Sequence, residues 1–154
     1  MTSAGTSTSI SRTIARVGLG AVLVLAGLSH LFWSRVAFQA QVPDWLPFDK
    51  DFVVVASGIV EIVLGLGLIA LPRYRVAVGW VAAAFFVAIF PGNISQFVTG
   101  TDSFGLNDDL SRGIRLLFQP LLVLVALWST AAWRDRRTLG GLFRRDANGP
   151  GGQS

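Results

Sequence analysis

Five side chains inside the apolar stretches of this chain are the candidates for binding a polar group or handling a proton: His30, Glu61, Asn93, Arg115 and Gln119. Glu61 is the sharpest case. It is the only ionisable group in Ala56–Leu68, ASGIVEIVLGLGL, a segment otherwise built of hydrocarbon, glycine and one serine. His30 is the chain's single histidine and the side chain that titrates nearest neutral pH. Asn93 and Gln119 bring amides, which both donate and accept, and Arg115 brings a fixed positive charge. Such a set suits hydrogen bonding to a polar head group and proton handling. It does not form a nucleophile–base–acid arrangement, so no catalytic residue is assigned. The chain has no cysteine, which rules out disulfides, thiol relays, iron–sulfur clusters and thiolate metal sites within it. No metal site is assigned either.

These residues must be positioned by long apolar elements. Of 154 residues 52% are hydrophobic and only 14% charged, against about a quarter charged in an ordinary globular domain. Four apolar runs stand out, at about Ile14–Trp33, Phe52–Leu71, Val76–Phe97 and Gly113–Trp133. Each approaches the roughly 20 residues that span a bilayer as a helix, and none alternates as a barrel strand does. The expected fold class is therefore all-α, an integral membrane antiparallel four-helix bundle. Residues 1–12 are expected to be a disordered cytoplasmic tail, 13–133 the transmembrane domain, and 134–154 a basic, disordered cytoplasmic tail. The first run exceeds a signal-peptide core and lacks a clean cleavage site, so it is expected to be retained.

Charge placement sets the orientation. In a four-span arrangement Arg12, Arg16, Arg73, Arg75, Arg134, Arg136, Arg137, Arg144 and Arg145 share one side. The other side carries most of the aspartates. The positive-inside rule then places both termini in the cytoplasm. The net charge of +4 reflects this sidedness, so nucleic acid is not an expected partner. The short LPRYR connection makes the second and third spans neighbours. The outer loop AFQAQVPDWLPFDKD is apolar enough to lie back on the mouth of the bundle, stiffened by Pro43 and Pro47.

Glu61 facing lipid while ionised would cost at least about 2.5 kcal/mol, so it is expected to face inward. Ser57, Gly58 and Gly65 share its face, and small residues let a neighbouring backbone approach. Helical side chains lean toward their own N-terminus, which tilts Glu61 and His30 toward each other from oppositely directed helices. Arg115 and Gln119 are four apart, hence on one face, and Pro120 frees the carbonyl of Leu116. Pro91 frees that of Val87, Gly92 loosens the turn, and Asn93 and Gln96 present amides at the same depth. All four spans thus place polar groups in the outer half, while the inner half reads as nearly pure hydrocarbon. Two readings stand side by side: a ligand pocket in the outer half, or a hydrogen-bonded cluster that only fixes helix register. A continuous path for protons or solutes lacks stepping stones in the inner half.

With AGLSHLF (Ala26–Phe32), PDWLP (Pro43–Pro47), SGIVEIVLGLGL (Ser57–Leu68), PRYR (Pro72–Arg75) and FPGNI (Phe90–Ile94), the chain resembles the DoxX-like family of small bacterial membrane proteins. The resemblance covers about Val17–Trp128. It implies a four-helix transmembrane bundle acting as an accessory subunit of a membrane redox or oxidative-stress complex. The family is also similar in architecture to quinone-binding bundles, so a quinone-like lipid is the expected ligand class, and the polar groups that would hold it are His30, Glu61, Asn93, Arg115 and Gln119. Thiol or redox chemistry would come from a partner redox protein, since this chain has no cysteine of its own. Formation of a homo-oligomer is left open. The alternative is a structural anchor or scaffold subunit in the bilayer.

Overall fold

The computed structural model describes residues 8–102 and 108–141. The expected disorder of residues 1–7 and 142–154, and the tip of the second outer loop at 103–107, lie outside the described residues. All regular structure among the described residues is helical. Helices α1 (Ile10–Phe32), α3 (Lys50–Ala70), α4 (Arg75–Thr99) and α5 (Asp109–Ser129) are long and apolar enough to cross a membrane. The short α2 (Arg35–Gln39) lies in the loop between α1 and α3, and a single 3-10 turn, Pro72–Tyr74, joins α3 to α4.

The first span starts at Ile10, earlier than its apolar run, because Ser9 caps it by accepting a hydrogen bond from the Arg12 backbone. This early start carries Arg16 well inside the helix. The sequence reading placed Arg16 on the cytoplasmic side and took the inner half as nearly pure hydrocarbon; the structure buries its side chain there, only 5% exposed. Its Nη1 donates to the carbonyl of Leu68. In an uninterrupted helix that carbonyl would accept from residue 72, but Pro72 has no N–H. Arg16 therefore caps the C-terminus of α3 from the neighbouring helix, where the helix dipole also favours positive charge.

Two glycine pairs set the spacing of α1 and α3. A methyl group on Gly27 would stand 2.5 Å from the Gly58 carbonyl oxygen, and one on Gly20 would stand 2.7 Å from that of Gly65. Residue numbers rise along α1 as they fall along α3 in these contacts. The backbones meet at both levels because neither helix carries a Cβ there. Helix α4 packs chiefly on α5, where Gly79 receives Thr130, while α1 touches α5 and α3 touches α4 more lightly. The core between them holds Leu19, Leu23, Leu64, Leu68, Ala82, Ala83, Phe86 and Ala126. Large apolar side chains such as Val22, Leu25, Val63, Val81, Leu117 and Leu124 face outward, as hydrocarbon surroundings allow.

Helix α4 runs unbroken through Pro91 and ends at Gly100, whose φ of 63° is the left-handed C-cap conformation. Gly92 does not loosen this helix. Its missing side chain makes room for the Gln41 carbonyl of the outer loop, which would lie 2.8 Å from a methyl group there. After α5, the buried carboxylate of Asp135 accepts from Arg75 at 2.7 Å and from Arg134 at 2.8 Å, tying the start of the basic segment to the start of α4.

The glycine seam makes a direct prediction. Gly27→Leu and Gly58→Leu should each lower the thermal unfolding temperature of the purified protein, by the equivalent of about 1–3 kcal/mol or more for overpacking. Gly18→Leu, at a position with open space around it, should not. Equal tolerance at all three positions would show that backbone contact does not hold α1 to α3.

Candidate functional site

A cavity of about 460 Å³ opens between the α1–α3 and α4–α5 pairs, and His30, Glu61, Asn93, Arg115 and Gln119 all line it. Its walls are mostly apolar, with Leu19, Leu23, Phe86 and Leu122 among them. The first outer loop folds over it. Val42 and Pro43 are buried, Trp45 and Leu46 reach the lining, and Phe38 rests on His30 with ring centroids 3.4 Å apart.

The approach of Gly27 to Gly58 brings the neighbouring polar groups together. His30 follows Gly27 by one turn, and its Cβ lies against Gly58. The Nδ1 atom of His30 is 3.1 Å from Ser57 Oγ and 3.3 Å from the Val54 carbonyl. Ser57 spends its own hydroxyl proton on Val54, at 3.0 Å, so its oxygen is free to accept. Two acceptors at Nδ1 assign the proton of the neutral ring to that nitrogen. The lone pair of Nε2 then faces Glu61, whose Oε2 is 3.6 Å away. That separation is too long for a hydrogen bond. Glu61 is only 6% exposed, and its Oε2 has no hydrogen-bond partner among the described residues. A carboxyl and an imidazole thus face each other across a gap that neither closes, at the wall of a cavity.

On the opposite wall two amides and a backbone carbonyl are bonded in a chain. Asn93 Nδ2 donates to Gln119 Oε1 at 2.8 Å, and Gln119 Nε2 donates to the Phe86 carbonyl at 2.7 Å. The acceptor is the carbonyl next to that of Val87, which Pro91 deprives of its helical partner. Arg115 is half-buried on the same wall, one turn before Gln119. Gln96, grouped with Asn93 by spacing, does not join them: it is buried and donates to the Thr101 carbonyl at 3.2 Å, closing the end of α4.

Ion pairs fasten the loop that roofs the cavity. Arg35 makes a forked pair with Asp51, and Gln39 donates to the same carboxylate at 3.0 Å. The Asp51 carboxylate raises the pKa of the Arg35 guanidinium. The Lys50 ammonium holds Asp44 below its ordinary value, chiefly through a hydrogen bond. Sequence reasoning missed one lining residue, Gln41, whose Nε2 is buried without a hydrogen-bond partner among the described residues. Lying in a loop, it had no helical periodicity to mark it as facing inward.

Because Gln119 bridges two groups, Gln119→Leu should leave both the Phe86 carbonyl and the Asn93 amide without it. The Phe86 carbonyl keeps its helical bond from the Phe90 N–H, so the expected loss is that of the Asn93 amide left unpaired, about 1–3 kcal/mol, read as a lowered unfolding temperature. An unchanged unfolding temperature would show that the Asn93–Gln119 chain carries no stability.

Over residues 19–130, a range that takes in most of α1 and all of α3, α4 and α5, the chain matches the family described as Domain of unknown function (DUF8561). No curated protein and no solved structure matches it. The match extends over well more than half of the sequence, and the chain belongs to the DUF8561 family.

Proposed function

We propose that this protein is an antiparallel four-helix bundle of the bacterial cell membrane, with both termini cytoplasmic, whose cavity binds a quinone-like lipid. In this reading it serves a membrane redox or oxidative-stress complex as an accessory subunit, as its DoxX-like resemblance implies, and a partner redox protein supplies the electron-transfer groups. The opposed numbering of the α1–α3 glycine contacts supports the antiparallel arrangement. The distribution of arginines supports the orientation.

The observation that carries the ligand reading is Glu61 Oε2, buried, unpartnered and facing a cavity of about 460 Å³. A buried polar atom left without a hydrogen bond costs about 1–3 kcal/mol, and a ligand carrying the complementary group removes that cost. A mostly apolar cavity with a few polar groups on its walls is the usual form of a small-molecule site. His30 and Glu61 offer a donor, an acceptor and an exchangeable proton at the same place, which is what a reducible carbonyl head group uses.

A second reading is favoured by the Asn93–Gln119–Phe86 chain, which is complete without any ligand. On that view the polar groups only fix the register of a structural subunit.

Glu61→Leu separates the two. Under the ligand reading, lipid extracts of the wild-type protein contain a quinone-like lipid above a matched membrane-protein control. The variant then loses it by about tenfold or more, equivalent to about 1.4 kcal/mol, without a lower unfolding temperature. Under the register reading, the variant unfolds at a lower temperature and the extracted lipids do not change. Wild-type extracts with no quinone-like lipid above the control would count against the ligand reading.

A further inference from the structure

We propose that Gln41, in the loop that roofs the cavity, donates its side-chain amide to a carbonyl-type oxygen of the bound molecule and thereby selects the head group. This rests on the ligand reading of the cavity and adds to it the acceptor that the ligand must carry.

Three observations meet at this residue. First, Gln41 is among the residues that line the cavity, and its Nε2 is buried with no hydrogen-bond partner among the described residues. An amide nitrogen brings two donors and no acceptor, so an acceptor on an incoming molecule would satisfy it. Second, the backbone beneath it is held from both sides. Its N–H donates to the Phe38 carbonyl at 3.0 Å, and its own carbonyl lies in the space left by Gly92 of α4. Phe38 in turn rests on His30. The amide is therefore presented from a fixed loop and is not a solvated surface glutamine. Third, Glu61 Oε2 on α3 is a second buried atom of this cavity with no hydrogen-bond partner among the described residues, while Asn93 donates to Gln119. The ligand's polar head accordingly belongs between the roof and the α1–α3 wall. Its hydrocarbon part belongs against Leu19, Leu23, Phe86 and Leu122. The class this describes is an amphipathic molecule with a compact, carbonyl-bearing head.

The test uses the full-length protein in lipid nanodiscs and two probes, an alkyl-substituted benzoquinone and an alkylbenzene with the same tail. Binding is followed by quenching of intrinsic tryptophan fluorescence and by the ligand-induced shift in unfolding temperature. Gln41→Met keeps the length of the side chain and removes both donors. It should weaken benzoquinone binding by about tenfold or more, leave alkylbenzene binding unchanged, and not lower the unfolding temperature of the ligand-free protein. The last result follows because a buried donor without a partner has been removed. Gln41→Glu, which puts acceptors where the donors were, should weaken benzoquinone binding in the same way and serves if the methionine variant does not fold.

Wild-type affinity for the benzoquinone in both variants would overturn the role of Gln41 while leaving the ligand reading intact. So would an equal loss of both probes, or a drop in ligand-free stability with affinity unchanged, since each marks a purely structural roof. No saturable benzoquinone binding by the wild type would overturn the ligand reading and this inference together.

Discussion

Backbone contact between α1 and α3 is the constraint on which the rest of the structure depends. In hydrocarbon surroundings, association between helices gains little from burying apolar side chains, because lipid tails solvate those equally well. What remains is close packing and the pairing of polar groups. Gly20 with Gly65 and Gly27 with Gly58 supply the first. The same approach supplies the second, because it brings the His30 ring against the Val54–Ser57 turn and opposite Glu61. A wider spacing would leave the imidazole and the carboxyl in separate environments.

The polar groups between the helices fall into two sets with different energetics. Asn93, Gln119 and the Phe86 carbonyl form a closed chain, and such a chain stabilises a bundle by itself. Glu61 and Gln41 leave polar atoms unmatched. Native interiors contain few such atoms. When one lines a cavity, the protein holds a stability cost in the place where a ligand can relieve it. The division also explains why the cavity lies between helix pairs. Each pair packs tightly within itself, and the lighter contacts between pairs leave the room.

Much of this architecture was legible in the residues. The four spans follow from run length, and the inward face of Glu61 follows from the cost of exposing a carboxyl to lipid. Its meeting with His30 follows from the lean of helical side chains. The return of the outer loop onto the mouth follows from its apolar composition. The misses share a physical cause, since they depend on partners that a helical pattern does not encode. Gln96 satisfies a backbone carbonyl at the end of its own helix, which spacing from Asn93 does not reveal. Gly92 serves a loop carbonyl from elsewhere in the chain. Gln41 sits where no periodicity applies. Arg16 was counted by the side it lies on, which does not reveal the Leu68 carbonyl it caps, left without a helical donor by a proline 56 residues after Arg16.

That guanidinium has a bearing on how the protein is assembled. With Pro72 unable to donate, the Leu68 carbonyl of α3 finds its donor on α1, and a bare carbonyl is expensive in the absence of water. Left alone in the bilayer, α3 would have both this exposed carbonyl and two uncovered glycine notches. Biogenesis is therefore expected to favour joint entry of the first two spans as a hairpin, with the second completed by the first before the later pair docks.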